Sequence, residues 1–232
     1  DEDGVTFKSP LNGDAHRFSA EISMGIQHKI GADIMFAFDE LTTLMNTRSY
    51  QEDSVERTFR WARRCVDEHQ RLTADRVGKP YQALYGVVQG ANYEDLRRRA
   101  ASQIASLDFD GVGIGGAIEK RIIGDTCAWI CDAMPENRPR HVLGIASVDD
   151  IFACVENGGD TFDCVGPARC ARNGAIYTRA GRYNIKRAQH KFDFGPLEEG
   201  CDCYTCQHYS RAYVDHLLRA REFNGFTLAT IH

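Results

Sequence analysis

From Cys164 to Phe192 the chain carries no aspartate and no glutamate. Elsewhere in its 232 residues it lacks an apolar run long enough to cross a bilayer. It opens with no pattern of a secretion signal, and no G-x-G-x-x-G stands at a strand-to-helix turn. The lack of a long apolar run leaves no membrane among the expected partners. The lack of the glycine motif weakens a dinucleotide-binding reading. There are nine cysteines, an odd number. That argues against a disulfide framework and for a reducing compartment, here the cytoplasm. What remains is ordinary for a globular protein, with 43% hydrophobic and 26% charged residues. The length suits one large α/β domain or two smaller ones.

The stretch without acids holds seven cations: Arg169, Arg172, Arg179, Arg182, Lys186, Arg187 and Lys191. The whole chain has a net charge of −5, and without these seven it would stand at −12. Such local concentration is an electrostatic footprint for phosphate. The competing reading is a solvated basic hairpin, because Asn173-Gly174 and Ala180-Gly181 have turn chemistry.

Three thiols follow within six residues, in Cys201-Asp202-Cys203-Tyr204-Thr205-Cys206. Closely spaced C-x-C thiols bridge each other only with strain, but they can point into one tetrahedral zinc shell. A closed site needs a fourth ligand. Spacing leaves His208, His216 and His232 all open. The remaining cysteines, among them Cys65, Cys127, Cys131 and Cys154, fall in helical patterns, where a buried thiol is expected.

From 30 to 165, short apolar runs alternate with amphipathic stretches. The runs are Ala32–Phe38, Ala83–Gln89, Phe109–Gly115, His141–Ala146 and Thr161–Val165. They read as buried parallel strands. Helical patterns cover 54–73, then 92–107 with Asn92 as N-cap, and 148–157 with Ser147 as cap and Asp150 three residues on. This repetition predicts a parallel sheet with helical crossovers. It would be part of a (β/α)8 TIM barrel whose early units are missing from the chain, with an open doubly wound sheet as the alternative. The expected division is 1–196 for the partial barrel, including a basic hairpin at 166–191, and 197–232 for a zinc-binding subdomain.

In a barrel the chemistry sits where strands end. These ends carry Asp39-Glu40, Gln89-Gly90, Gly115-Gly116, Gly144 and Asp163. Any one of them is explained by loop and cap chemistry. Together they form a ring suited to a flat polar ligand. Carboxylates and an amide can read the amine and carbonyl edges of a purine, and paired glycines let backbone approach its face.

Several separated motifs now resemble one family. Phe162-Asp163-Cys164-Val165 with Pro167, Arg169 and Arg172-Asn173-Gly174 is similar to the signature of tRNA-guanine transglycosylases (queuine tRNA-ribosyltransferases) of the bacterial and eukaryotic type. The cysteine cluster with Tyr209-Ser210-Arg211-Ala212-Tyr213 resembles that family's zinc motif. Phe38-Asp39-Glu40, Val88-Gln89-Gly90, Gly115-Gly116 and Leu143-Gly144 fall in the family's order. The resemblance spans essentially the whole chain.

It implies a (β/α)8 barrel with an inserted zinc subdomain. It also implies exchange of the wobble guanine of certain tRNAs for a 7-deazaguanine, in queuosine biosynthesis. It names Asp163 as nucleophile. The base readers would be Asp39, Gln89, Gly115, Gly116 and Ala117, with Leu143 and Gly144 lining the pocket. Arg169 and Arg172 would hold the tRNA. One structural Zn2+ per chain would sit on Cys201, Cys203, Cys206 and His232, and the protein would be a homodimer. The chemistry is coherent: an aspartate can attack the anomeric carbon of a ribose, hold the sugar covalently, and release it to a second base. The target base must first leave its stack.

The chain also departs from the family pattern. The family's upstream Asp-Ser-Gly-Gly-Phe-Gln motif is absent, so an N-terminally truncated piece is expected, short of one catalytic group. Leu41 stands where many bacterial members have Cys, and Ala117-Ile118-Glu119-Lys120 replaces Leu-Ala-Val-Gly. Both changes touch the side that reads the 7-substituent, leaving 7-aminomethyl-7-deazaguanine and queuine both open. Two rival readings are a non-catalytic tRNA-binding subunit and a zinc-dependent barrel hydrolase.

Overall fold

The computed structural model describes residues 1–232, which divide into two compact units, Asp1–Asp163 and Cys164–His232. The first opens with an antiparallel pair, β1 (Val5–Lys8) and β2 (Ala15–Phe18). Then α1 (Ala20–Ile30) leads to β3 (Ile34–Phe36), α2 (Arg48–Ala74), β4 (Ala83–Val88) and α3 (Glu94–Ala105). After these come β5 (Gly111–Ile114), α4 (Ile123–Cys131), β6 (Arg140–Val142), α5 (Val148–Glu156) and β7 (Thr161–Phe162). All five expected runs form strands, each shorter than its apolar run.

The five pair in parallel in the order β3-β4-β5-β6-β7. Sequence neighbours are spatial neighbours throughout. A doubly wound sheet would reverse order at a switch point, so that alternative is set aside. Consecutive units of a TIM-barrel-like fold account for this order. The core joins strand residues Met35, Leu84, Val112 and Ile114 to Trp61 of α2 and Ile104 of α3. At β3, an edge of the sheet, Gln27 of α1 completes the backbone pairing. Its amide donates to Phe36 O (2.9 Å) and its carbonyl accepts from Phe36 N (3.1 Å).

Two helix starts and one cap bond differ from the sequence reading. α2 starts at Arg48, capped by Thr47, rather than at 54. Its polar first turns carry little apolar periodicity because they bind a loop instead of the core. α3 starts at Glu94, and Asn92 does not cap it; its side-chain oxygen accepts from Glu119 N at 3.0 Å. Ser147 does occupy the N-cap position of α5, but makes no cap bond; its hydroxyl lies 3.3 Å from Lys120 Nζ. In both cases a longer-range partner takes the side chain that local chemistry allots to a cap.

The second unit comprises α6 (Gly166–Arg172), the hairpin of β8 (Ala175–Thr178) and β9 (Gly181–Asn184), α7 (Tyr204–His208), α8 (Arg211–Ala220) and α9 (Phe223–Ile231). The sequence reading joins this hairpin to the first domain. Here Ile176 and Ile185 of the hairpin region are buried in one core with Leu197, Val214 and Leu218, which periodicity alone does not report. Ser210 caps α8 by accepting from Tyr213 N, and Thr205 ties α7 to the Leu228 carbonyl of α9 (2.7 Å). The pattern at 54–73 and the thiols at Cys65, Cys127 and Cys154 are helical and buried as expected, with Cys131 half-buried.

Candidate active site and metal centre

The strand ends of the first unit converge. Gln89, just past β4, donates from Nε2 to Asp39 Oδ2 at 2.6 Å. A Cβ added to Gly115 would lie 3.3 Å from Gln89 Nε2 and 3.3 Å from Leu143 Cδ1, so the ends of β4, β5 and β6 meet there without room for another side chain. Asp39 is half-buried. Burial raises its carboxyl above the ordinary aspartate range, opposed by the Gln89 hydrogen bond. Ala117, half-buried on the loop beyond Gly116, follows directly.

The segment bearing Asp39 is fixed from α2. Phe38 N donates to Cys65 Sγ (3.2 Å), Glu40 N to Thr58 Oγ1 (3.1 Å), and Ser54 Oγ donates to Glu40 O (3.1 Å). The Glu40 carboxylate takes Arg57 and the Tyr50 hydroxyl. Positions 50, 54, 57, 58 and 65 lie along one helical stripe, and hydrogen-bonding side chains on that stripe are the available signal for this fastening.

At β7, Asp163 Oδ1 accepts from Gly144 N (3.1 Å) and lies 3.1 Å from His141 Nε2. His141 Nδ1 is 2.8 Å from Thr161 Oγ1. With the threonine hydroxyl donating to Nδ1, the imidazole is the tautomer that donates from Nε2 to Asp163. The Asp163 side chain keeps 61% of its surface exposed. It is thus a held carboxylate with an open face. Sequence reasoning takes His141 only as the start of a strand. Its register opposite Thr161, two residues before Asp163, is the missed signal.

In the second unit, Arg169 and Arg172 lie on α6, with Arg172 exposed. None of the seven cations of the acid-free stretch has a carboxylate within 4 Å, whereas Arg211 and Arg219 of the same unit are paired with Asp193 and Asp215.

Of the three histidines left open by spacing, one lies against the thiols. His232 Nδ1 lies 3.7, 3.5 and 3.2 Å from the sulfurs of Cys201, Cys203 and Cys206. The four ligand atoms all fall within 4.8 Å of one another. A tetrahedral zinc would set nitrogen–sulfur edges at about 3.5 Å and sulfur–sulfur edges at about 3.8 Å, so this donor set fits a metal ion. His232 Nε2 is 3.0 Å from Tyr177 O. Donating there, it leaves the Nδ1 lone pair for the metal. His208 and His216 take no place in the cluster.

The chain matches the family model described as Queuine tRNA-ribosyltransferase over residues 1–232. Among curated relatives, proteins named queuine tRNA-ribosyltransferase from Shouchella clausii and Lysinibacillus sphaericus are each 44% identical, and one from Staphylococcus epidermidis is 45% identical. Each match covers 100% of this chain and 60% of the relative, so the chain spans well under two thirds of their length. The chain belongs to the queuine tRNA-ribosyltransferase family.

Proposed function

We propose that this member of the queuine tRNA-ribosyltransferase family exchanges guanine at the wobble position of tRNA for a 7-deazaguanine, through a covalent ribose on Asp163. The observation that carries the reading is the exposed Asp163 carboxylate, fixed by Gly144 N and His141, on the same sheet whose β3 and β4 ends carry the hydrogen-bonded Asp39–Gln89 pair. Asp163 attacks the anomeric carbon and the bond from ribose to guanine breaks, with oxocarbenium character at the transition state. Guanine leaves, the incoming base occupies the same pocket, and its ring nitrogen displaces the aspartate, with overall retention. His141 keeps the carboxylate aimed. Asp39 accepts from the amine edge of the base, and Gln89 donates to its carbonyl.

The fold is proposed to be a (β/α)8 barrel in the complete protein, carrying the 197–232 segment as its zinc subdomain. Cys201, Cys203, Cys206 and His232 would hold a structural zinc ion. Four protein ligands leave that ion no open position for a water, which weighs against a zinc-dependent hydrolase. Arg169 and Arg172 would grip the phosphates of the anticodon arm. A homodimer and a cytoplasmic location belong to the same reading. Either 7-aminomethyl-7-deazaguanine or queuine suits the pocket, since Leu41 and Ala117 alter the side that would meet the 7-substituent.

The test is incorporation of labelled guanine into tRNA, run on this chain and on a form extended to the length of its relatives. Asp163→Asn is expected to cut exchange by about three orders of magnitude or more and to abolish the protein–RNA adduct seen on a denaturing gel, with RNA affinity retained. If exchange and adduct survive Asp163→Asn, the nucleophile is elsewhere. If the unmutated protein binds RNA but exchanges nothing in either form, the non-catalytic subunit reading replaces this one.

A further inference from the structure

Arg97 is a buried cation without a counter-ion. It is 0% exposed, although it sits in the first turn of α3, where the helix dipole disfavours positive charge. Its guanidinium donates only to carbonyls: Ala91 O at 2.8 Å, Val88 O at 3.0 Å and Gly115 O at 2.6 Å. Burial lowers its pKa to about 9. An unpaired buried charge is costly, and nothing in the core requires one here.

The two loops around it are shaped to admit it. Gly90 has φ 135°, and a Cβ there would meet Arg97 N at 2.9 Å and Cδ at 3.2 Å. Ala91 has φ 48°, rare for a residue with a side chain. Its carbonyl is one of the three that Arg97 holds. A Cβ on Gly116, at φ 92°, would lie 2.5 Å from Gln89 Oε1 and 3.1 Å from Arg97 Nη2. Those two atoms, a buried acceptor and a buried donor, are the ones in their side chains without a hydrogen-bond partner. They approach the same side of Gly116. On its other end the same amide donates to Asp39.

We propose that Arg97 is a positioning residue that fixes the polarity of the base pocket: its charge holds Gln89 Oε1 inward and so presents the Gln89 amino group to Asp39 and to the base. A carboxamide can sit either way round, and only its surroundings decide which. With Arg97 behind it, the pocket offers an NH2 donor to the base, matching a 6-oxo purine and opposing a 6-amino one. The clamp on Val88, Ala91 and Gly115 keeps that donor in place.

The inference rests on the pocket reading above and is tested in whichever form of the protein performs exchange. Guanine and 2,6-diaminopurine share the 2-amino group and differ at N1 and position 6; Asp39 is the same in parent and variant, so a change in the ratio of their inhibition constants reports the polarity of Gln89. In Arg97→Met the freed amide can turn, and the preference for guanine over diaminopurine is expected to fall at least about ten-fold. A purely structural role would weaken both bases alike, and an unchanged ratio overturns the proposal. If the unmutated protein shows no preference for guanine, the pocket reading itself fails first.

Should Arg97→Met not fold, Arg97→Lys decides. It keeps a charge behind Gln89 while giving up part of the clamp on Val88, Ala91 and Gly115, so the preference for guanine over diaminopurine is expected to stay within about two-fold of the parent. A fall of about ten-fold or more with the charge retained overturns the proposal.

Discussion

The two units reach a defined site by opposite routes. The first gathers its candidate site from single residues at the ends of successive strands, spread from Asp39 to Asp163, on an apolar core made of other side chains. The second gathers three of four ligands within six residues and closes the set with His232. Their charges differ in the same sense. Many arginines of the first unit are paired, as Arg57 with Glu40 and Arg64 with Glu21 are, whereas seven cations of the second have no carboxylate partner. One unit is stabilised by its core and carries a site; in the other, site and stability are proposed to be one thing.

Removing metal should separate the units most sharply. The apparent binding energy of a structural zinc is on the order of 10 kcal/mol, more than a core as small as that around Ile176, Ile185 and Val214 can replace. Chelation is expected to abolish hydrogen-exchange protection in 201–232 while β4 and β5 keep theirs. Protection unchanged throughout would mean that the second unit folds on its core alone and that the cysteines are only neighbours.

The same contrast governs how much of each unit is legible in the sequence. The cysteine cluster is legible because its chemistry is local. Spacing does not reach the fourth member, since His232 is brought in by α9 and by the Tyr177 carbonyl; in the sequence only the family resemblance points to it. The five strands are legible as apolar runs, and their parallel order follows from the crossovers. What escapes is any side chain whose partners lie far along the sequence. His141 reads as an ordinary strand residue until β6 lies beside β7. Arg97 reads as one of three consecutive arginines on an exposed helix, yet it is wholly buried while Arg98 beside it pairs with Glu94 at the surface. Asn92 and Ser147 have the right chemistry for caps and are drawn into longer-range bonds.

A smaller effect is expected from the unpaired cations. If Arg169 and Arg172 neutralise phosphates, Arg169→Gln and Arg172→Gln should each reduce the salt dependence of RNA binding by about one in the log–log slope. Arg64→Gln, which removes a cation already paired with Glu21, should leave that slope unchanged. Equal slopes in all three would remove the distinction between the charge patterns of the two units, at least as far as RNA is concerned.

The smallest effect concerns carboxylates within the first unit, one belonging to the site and one to the scaffold. Burial raises the Asp39 pKa. A raised acid contributes stability that is fully present below its unfolded pKa of about 3.9 and is lost as pH rises through the folded value. Burial of Asp39 therefore weakens the fold as pH rises toward neutrality, and Asp39→Asn should raise the thermal midpoint by about 2–4 °C at pH 7, with no gain near pH 3, while base exchange is lost. Glu21 is the opposite case: the hydrogen bond from Arg64 lowers its pKa to about 2 despite an opposing burial contribution. Its contribution is present above the unfolded value of about 4.3 and disappears as pH falls toward 2. Glu21→Gln should thus lose a little stability at pH 7, small because the pair is partly exposed to solvent, and nothing at pH 2. Opposite signs at pH 7 would mark Asp39 as kept against the interest of the fold, as a residue retained for a site is. The same sign for both would make it one more structural acid.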